Sequence, residues 1–267
     1  MKKQMIIFIE IIALTVFLII APITFANKGY FTLEESENGI ITVEYKAESD
    51  KRIKILITKD DEEYFYDMVD ETERFPLQLG DGNYQFAILE NVEDDIYRYI
   101  YRSAFKVDKI METDVFLNSV QNVDWTYFDK PIRYVDQLVS DEMSNMEKVH
   151  AVHEHIAENY RYDYELYNRL DEITVYLPSI TKTFESKKGI CYDLTSLMAA
   201  MLRSEGIPTK LVMGYRLDTP EYHAWNEVFV DGEWKVIDIT LDSNYDETDR
   251  EYTVFKDADN YDKTGEY

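Results

Sequence analysis

One cysteine, Cys191, stands in 267 residues. An internal disulfide therefore cannot form, and no cysteine spacing supports a zinc site. Histidine is nearly as scarce, with only His150, His153, His155 and His223. Basic charge is short too: 28 Lys+Arg face 53 Asp+Glu, for a net charge of −25. Phosphate binding needs a basic face, so this balance argues against nucleic acid as a partner and against docking on an anionic membrane surface. Internal repeats and low-complexity blocks are also missing. What is present is 45% hydrophobic and 14% aromatic, a composition suited to a packed core rather than a disordered chain.

The N-terminus begins MKKQMIIFIEIIALTVFLIIAPITFANKGY. Two lysines, an apolar run broken only by Glu10, and Thr24-Phe25-Ala26 predict a signal peptide over 1–26. The run is long enough that an uncleaved membrane anchor through residues 5–25 is the alternative. Either reading places the body outside the cytoplasm, secreted or at the cell envelope. In an exported chain an unpaired thiol marks a reactive group worth explaining.

Residues 27–108 read as β structure. IITVEYK (40–46) and RIKILITK (52–59) alternate, EYFYDM (63–68) is short and aromatic, Gly80-Asp81-Gly82-Asn83 is a turn, and IYRYIYRSAFKV (96–107) closes the series. Five or six strands at this spacing predict a small antiparallel sandwich. Residues 109–250 are mixed. Met146, Val149, Val152, Ile156 and Tyr160 form one helical stripe, and Leu194, Leu197, Met198, Met201 and Leu202 form a second, stopped at Gly206-Ile207-Pro208. Three strand-like segments follow at 209–216, 223–230 and 233–240. Residues 251–267 read as an acidic C-terminal tail.

Cys191 follows Gly189-Ile190 at the start of the second helix, where unpaired backbone N–H groups and the helix dipole favour a thiolate. A buried free cysteine acting as a small hydrophobe is the plain alternative. A nucleophile needs a base, and the base an orienting acceptor. His223 lies on a strand joined to the next by Asp231-Gly232, a pair suited to a type I′ turn. That register places His223 opposite Thr240 and Trp225 opposite Asp238. His223 and Asp238 are then diagonal neighbours on one face, with β-carbons within about 7–8 Å. Asp238 also interrupts the apolar run VIDIT, where a carboxylate needs a partner. The rival cluster, His150, His153, Glu154 and His155, does not converge: His153 falls on the apolar stripe and His155 points away from it. Asp242, Asn244 and Asp246 resemble the start of a calcium loop, but Glu247 and Thr253 stand where glycine and glutamate are required. The expectation there is a solvated acidic face, with no metal and no cofactor.

GICYDLTSLMAAMLRSEGIPTKLVMGY (189–215), YHAWNEVFV (222–230) and WKVIDIT (234–240), in that order, resemble the transglutaminase-like domain of the papain-like superfamily in its secreted bacterial form. The resemblance spans about 110–245 and includes the preceding EKVHAVHEHIAENYRYDY. It implies an α+β fold, a papain-like core of helices packed on an antiparallel sheet, preceded here by the small all-β domain. It implies Cys191 as nucleophile, His223 as base and then acid, and Asp238 as orienting carboxylate. Ile239 stands where such proteins often carry proline. The implied activity is acyl transfer from protein or peptide amides through a thioester, with glutamine- and lysine-type groups, including those of cell-wall peptide, as substrates. A peptidase or amidase using water, and a non-catalytic envelope-assembly module, are the alternatives. The Cys191 backbone N–H with Tyr162 or Trp225 is expected to hold the oxyanion.

Overall fold

The structure is a computed structural model that describes residues 31–32, 38–46, 51–108, 111–244 and 253–267. The expected signal or anchor, and Asp246 and Glu247 of the acidic loop, lie outside the described residues. The chain divides into two compact units that meet in sequence at Val115–Phe116.

In the first unit the strands are β1 (Phe31–Thr32), β2 (Ile40–Glu44), β3 (Ile53–Lys59), β4 (Glu62–Met68), β5 (Thr72–Pro76), β6 (Gly82–Glu93) and β7 (Ile96–Val107). They form two antiparallel sheets, ordered β1-β2-β5 and β4-β3-β6-β7. Alternation in β3 buries Ile53, Ile55 and Ile57 on one face. Leu56, on the other face, joins Ala87, Leu89 and Tyr97. Tyr66 of one sheet lies 4.7 Å from Phe75 of the other, ring to ring. Strand β5, which begins at Thr72, has no clean apolar alternation and was not among the expected strands.

The second unit is α+β. In chain order it contains α1 (Lys130–Val135), α2 (Asn145–Asn159), β8 (Arg161–Tyr162), α3 (Tyr164–Tyr167), α4 (Ile180–Ser186), β9 (Lys188–Gly189) and α5 (Cys191–Ser204). Strands β10 (Thr209–Arg216), β11 (Tyr222–Val230) and β12 (Glu233–Ile237), helix α6 (Ile239–Ser243) and β13 (Tyr261–Glu266) complete it. Helix α2 starts at a capping box: the Glu147 N–H donates to Ser144 Oγ, and the Ser144 N–H donates back to Glu147 Oε2 at 2.8 Å. Helix α5 is buried along nearly its whole length and lies on the sheet. Thr195 Oγ1 donates to Ala224 O at 3.2 Å, and Asn226 Nδ2 donates to Thr195 O and Lys210 O. Helix and strand are thereby tied by bonds that pair Thr195 and the Asn226 amide nitrogen in the interior.

The sheet order is β12-β11-β10-β13. Asp231 and Gly232 both adopt positive φ, as a type I′ turn requires. Val230 pairs with Glu233 and Asn226 with Ile237, the register expected from sequence. Two expectations are corrected. The last strand stops at Ile237 rather than running to 240, because Asp238 caps α6. His223 and Thr240 are therefore not a ladder pair. The segment read as an acidic tail contributes β13, an edge strand on β10. Its spaced Tyr, Gly and charged residues carry no apolar alternation, so periodicity does not reveal it. Gly214 permits the pairing, since a β-carbon there would lie 2.1 Å from Asp262 O. No helix among the described residues is long and apolar enough to cross a membrane.

Candidate active site

Cys191 is the first residue of α5 and is partly exposed. Its position is set by the short parallel pair β8–β9, in which Tyr162 stands opposite Gly189. The Ile190 N–H, just before the helix, donates to Asp193 Oδ2 at 3.0 Å, and Tyr176 Oη donates to Asp193 Oδ1 at 2.7 Å. Burial pushes the Asp193 carboxyl up to about 6 despite these two bonds. Gly189 is required for close approach rather than for a positive φ. A β-carbon there would lie 2.6 Å from Asp193 Cβ and 3.2 Å from Thr183 Cγ2. Gly189→Ala is therefore expected to displace the helix start and cost about 1–3 kcal/mol. Thermal melting together with Cys191 alkylation kinetics checks both effects.

His223 lies on β11, and its Nε2 is 2.9 Å from Asp238 Oδ2. Asp238 is fully buried. Its Oδ1 accepts the Leu241 N–H at 3.0 Å, so one carboxylate both caps α6 and holds the imidazole. Ile239 is the first residue of α6, a position that favours proline but does not require it. With Nε2 engaged by Asp238, Nδ1 is the ring nitrogen left for Cys191. Burial opposes charge on the imidazole. Hydrogen bonds to Asp238 and Cys191 outweigh that and raise the His223 pKa to about 10. Burial likewise works against the Asp238 carboxylate, but the His223 hydrogen bond and charge hold it below the usual carboxylate range.

Cys191, His223 and Asp238 are thus brought together, by a helix start, a strand and a helix cap. Two further groups reach Asp238 that sequence reading did not single out. Tyr261 Oη donates to Oδ2 at 3.1 Å, and Arg216 Nη1 lies 3.9 Å from the same oxygen. The only sequence signal for Arg216 is its place at the end of β10. Tyr261 has none, since it lies in the segment read as a tail.

Tyr162 sits beside the thiol. Burial pushes its hydroxyl up, and the charge of Cys191 adds to that. Its ring is 5.0 Å from Tyr164 and 5.9 Å from Tyr167. Trp225 is buried among Val212, Val236 and Tyr261. Its ring backs the imidazole at 6.4 Å and 25°, and its Nε1 has no hydrogen-bond partner among the described residues.

The other histidines are packed elsewhere. His153 is buried with Nε2 2.8 Å from Asp242 Oδ2, and Lys256 Nζ binds the same carboxylate at 2.7 and 2.8 Å. Asp242 therefore faces inward and does not belong to a solvated acidic face. His155, expected to point away from the apolar stripe, packs against Tyr134 and against Tyr160 of that stripe. The His150 ring meets Phe255 edge-on. Among the described residues no group of three or more His, Cys, Asp or Glu side chains is arranged to hold a metal.

Residues 132–239 match the model of the Transglutaminase-like superfamily, so that segment is similar to the domain of that superfamily. The Bacillus subtilis protein YebA, itself uncharacterized, is 28% identical over 137 residues, which are 45% of this chain and 17% of YebA. The chain thus spans less than a fifth of that relative. Among solved structures, a candidate cysteine protease from Cytophaga hutchinsonii is similar at 18% identity and TM-score 0.45, covering 85% of this chain and 75% of its own. A TGase structure is similar at 23% identity and TM-score 0.34, covering 46% of this chain and 34% of its own. Red sea bream transglutaminase is similar at 11% identity and TM-score 0.31, covering 75% of this chain and 48% of its own.

Proposed function

We propose that the protein is a cysteine-dependent acyltransferase acting on protein or peptide amides. The observation that carries this is the His223–Asp238 pair, 2.9 Å apart with the carboxylate fully buried, set against the only cysteine at a helix start. A purely structural role needs no such arrangement. The Cys191 thiolate attacks the carbonyl carbon of a carboxamide, forming a C–S bond and a tetrahedral oxyanion. The Cys191 backbone N–H is one donor to that oxyanion, and the Tyr162 hydroxyl, protonated and next to the thiol, is the second. Trp225 is the weaker candidate, because its indole is buried behind the imidazole. The C–N bond then breaks as the His223 imidazolium gives its Nδ1 proton to the leaving nitrogen, and ammonia or an amine departs. A lysine-type amine or water attacks the thioester, neutral His223 takes its proton, and the thiolate is regenerated with the imidazolium.

Glutamine- and lysine-type groups, including those of cell-wall peptide, are the substrates this reading favours. The excess of acidic charge favours cationic acceptors. The chain is read as exported, secreted or held at the envelope through residues 5–25; the support is the lysine-led apolar run at its N-terminus. The test supplies a fluorescent alkyl amine and a glutamine-containing protein. Amine incorporation that vanishes in Cys191→Ala is expected. Ammonia or peptide release without incorporation would assign the hydrolytic reaction instead. Neither activity, or activity that survives Cys191→Ala, would reject the proposal.

A further inference from the structure

We propose that Tyr261 is a positioning residue of this site: its hydroxyl, carried in by the C-terminal strand, fixes the Asp238 carboxylate against His223 and moderates its hold on the imidazolium. The proposal rests on the Cys191–His223–Asp238 reading. It also gives the segment beyond the matched domain, residues 132–239, a part in the chemistry.

The geometry is specific. Asp238 Oδ2 accepts from both His223 Nε2 at 2.9 Å and Tyr261 Oη at 3.1 Å. The Tyr261 ring is 5.0 Å from Trp225, the same ring that backs the imidazole. Tyr261 therefore touches the acceptor directly and the base through one intermediary. It reaches there because β13 pairs with β10, with Tyr261 opposite Arg216, across the close approach that Gly214 allows. Arg216 is a poorer candidate for the same task. Its Nη1 is 3.9 Å away, and its Nη2 binds Asp218. Among the described residues, the charged and titratable groups facing the pair are Cys191 from α5, Arg216 from the end of β10 and Tyr261 from β13; Asp218 binds Arg216, and Asp242 from α6 acts on Tyr261.

The sign of the effect follows from charge. When His223 is neutral, Asp238 carries its full negative charge and the tyrosine hydrogen bond is at its strongest. When His223 is charged, the imidazolium already balances that charge and the tyrosine gains less. Tyr261 thus favours the neutral imidazole and eases proton release from Nδ1. Without its hydroxyl the imidazolium is held more tightly.

The test is the pH dependence of Cys191 alkylation by iodoacetate, with neutral iodoacetamide as reference. The carboxylate of iodoacetate is drawn to the imidazolium, so its rate falls as His223 loses its proton, and this alkaline limb reads His223. Tyr261→Phe is expected to move the limb upward by about half a pH unit or more, the size of one ordinary hydrogen bond's difference between the two states. Lys263→Gln, a change on the same strand that does not touch Asp238, is expected to leave the limb in place. Should Tyr261→Phe fail to fold, 4-aminophenylalanine at position 261 keeps the ring and a weaker donor, and a smaller upward shift is expected. A limb that is unmoved or moves down in either folded variant overturns the proposal, as does an equal shift in Lys263→Gln. A limb that is the same in wild type and His223→Ala overturns the parent reading, and the Tyr261 proposal falls with it.

Discussion

His223→Ala is expected to lower amide turnover by about 10²–10⁴-fold, the range over which a positioned acid–base group contributes. No other histidine can take over: His153 is buried on Asp242, while His150 and His155 are packed against rings elsewhere. The loss falls on two steps, because the same imidazole protonates the leaving nitrogen and deprotonates the acceptor. Binding of the peptide amide does not need the ring, so the loss is expected in kcat with KM little changed. In the wild-type protein His223, held up at about 10, stays charged through neutral pH. Turnover limited by leaving-group protonation should accordingly persist well above pH 7 and fall only as His223 loses its proton. Steady-state kinetics of both proteins across pH checks the size of the loss and its place.

Asp238→Ala is expected to cost about 3–5 kcal/mol of stability, the usual consequence of removing one partner from a buried charged pair. It leaves His223, Tyr261 and the Leu241 N–H without their common acceptor. The pH dependence gives a second signature. A carboxylate held below its ordinary value stabilises the fold above the unfolded carboxylate pKa, and this is lost as pH falls through the depressed folded value. An imidazole raised above its ordinary value, about 6.5, contributes fully below that value and loses its contribution as pH rises toward about 10. The pair is therefore worth most between the ordinary carboxylate and imidazole values. Melting followed across pH should show the largest deficit of Asp238→Ala in that window and a flatter profile for the variant. Unchanged melting would mean that the pair does not contribute as its burial implies.

Much of this site was legible in the sequence because its parts obey local rules. The Asp231-Gly232 turn fixes a register, and a register fixes which side chains share a face, so His223 could be paired with Asp238 from residue numbers. The detail that failed is instructive. VIDIT reads as continuous strand, yet an aspartate followed three residues later by a free backbone N–H is also a helix cap, and capping prevailed at Asp238. The contact survived the change of element because both geometries turn the carboxylate toward β11. Tyr261 was not legible. A strand at a sheet edge is held by backbone bonds and by the absence of a β-carbon at Gly214, and neither leaves a periodic trace. Asp242 was misread for the opposite reason, since an acidic run looks solvated until a distant Lys256 and His153 claim one member of it. In the first unit, alternation found the strands with apolar faces and missed β5, which begins Thr72-Glu73-Arg74.

The central claim is that Cys191 is a nucleophile activated by His223. The most direct measurement is the second-order rate of iodoacetamide alkylation of Cys191 at pH 7, in wild type and His223→Ala, beside a free model thiol. The account predicts that wild-type Cys191 reacts faster than the model thiol and that His223→Ala removes the advantage. A wild-type rate no faster than the model thiol, or one that His223→Ala leaves unchanged, would contradict it.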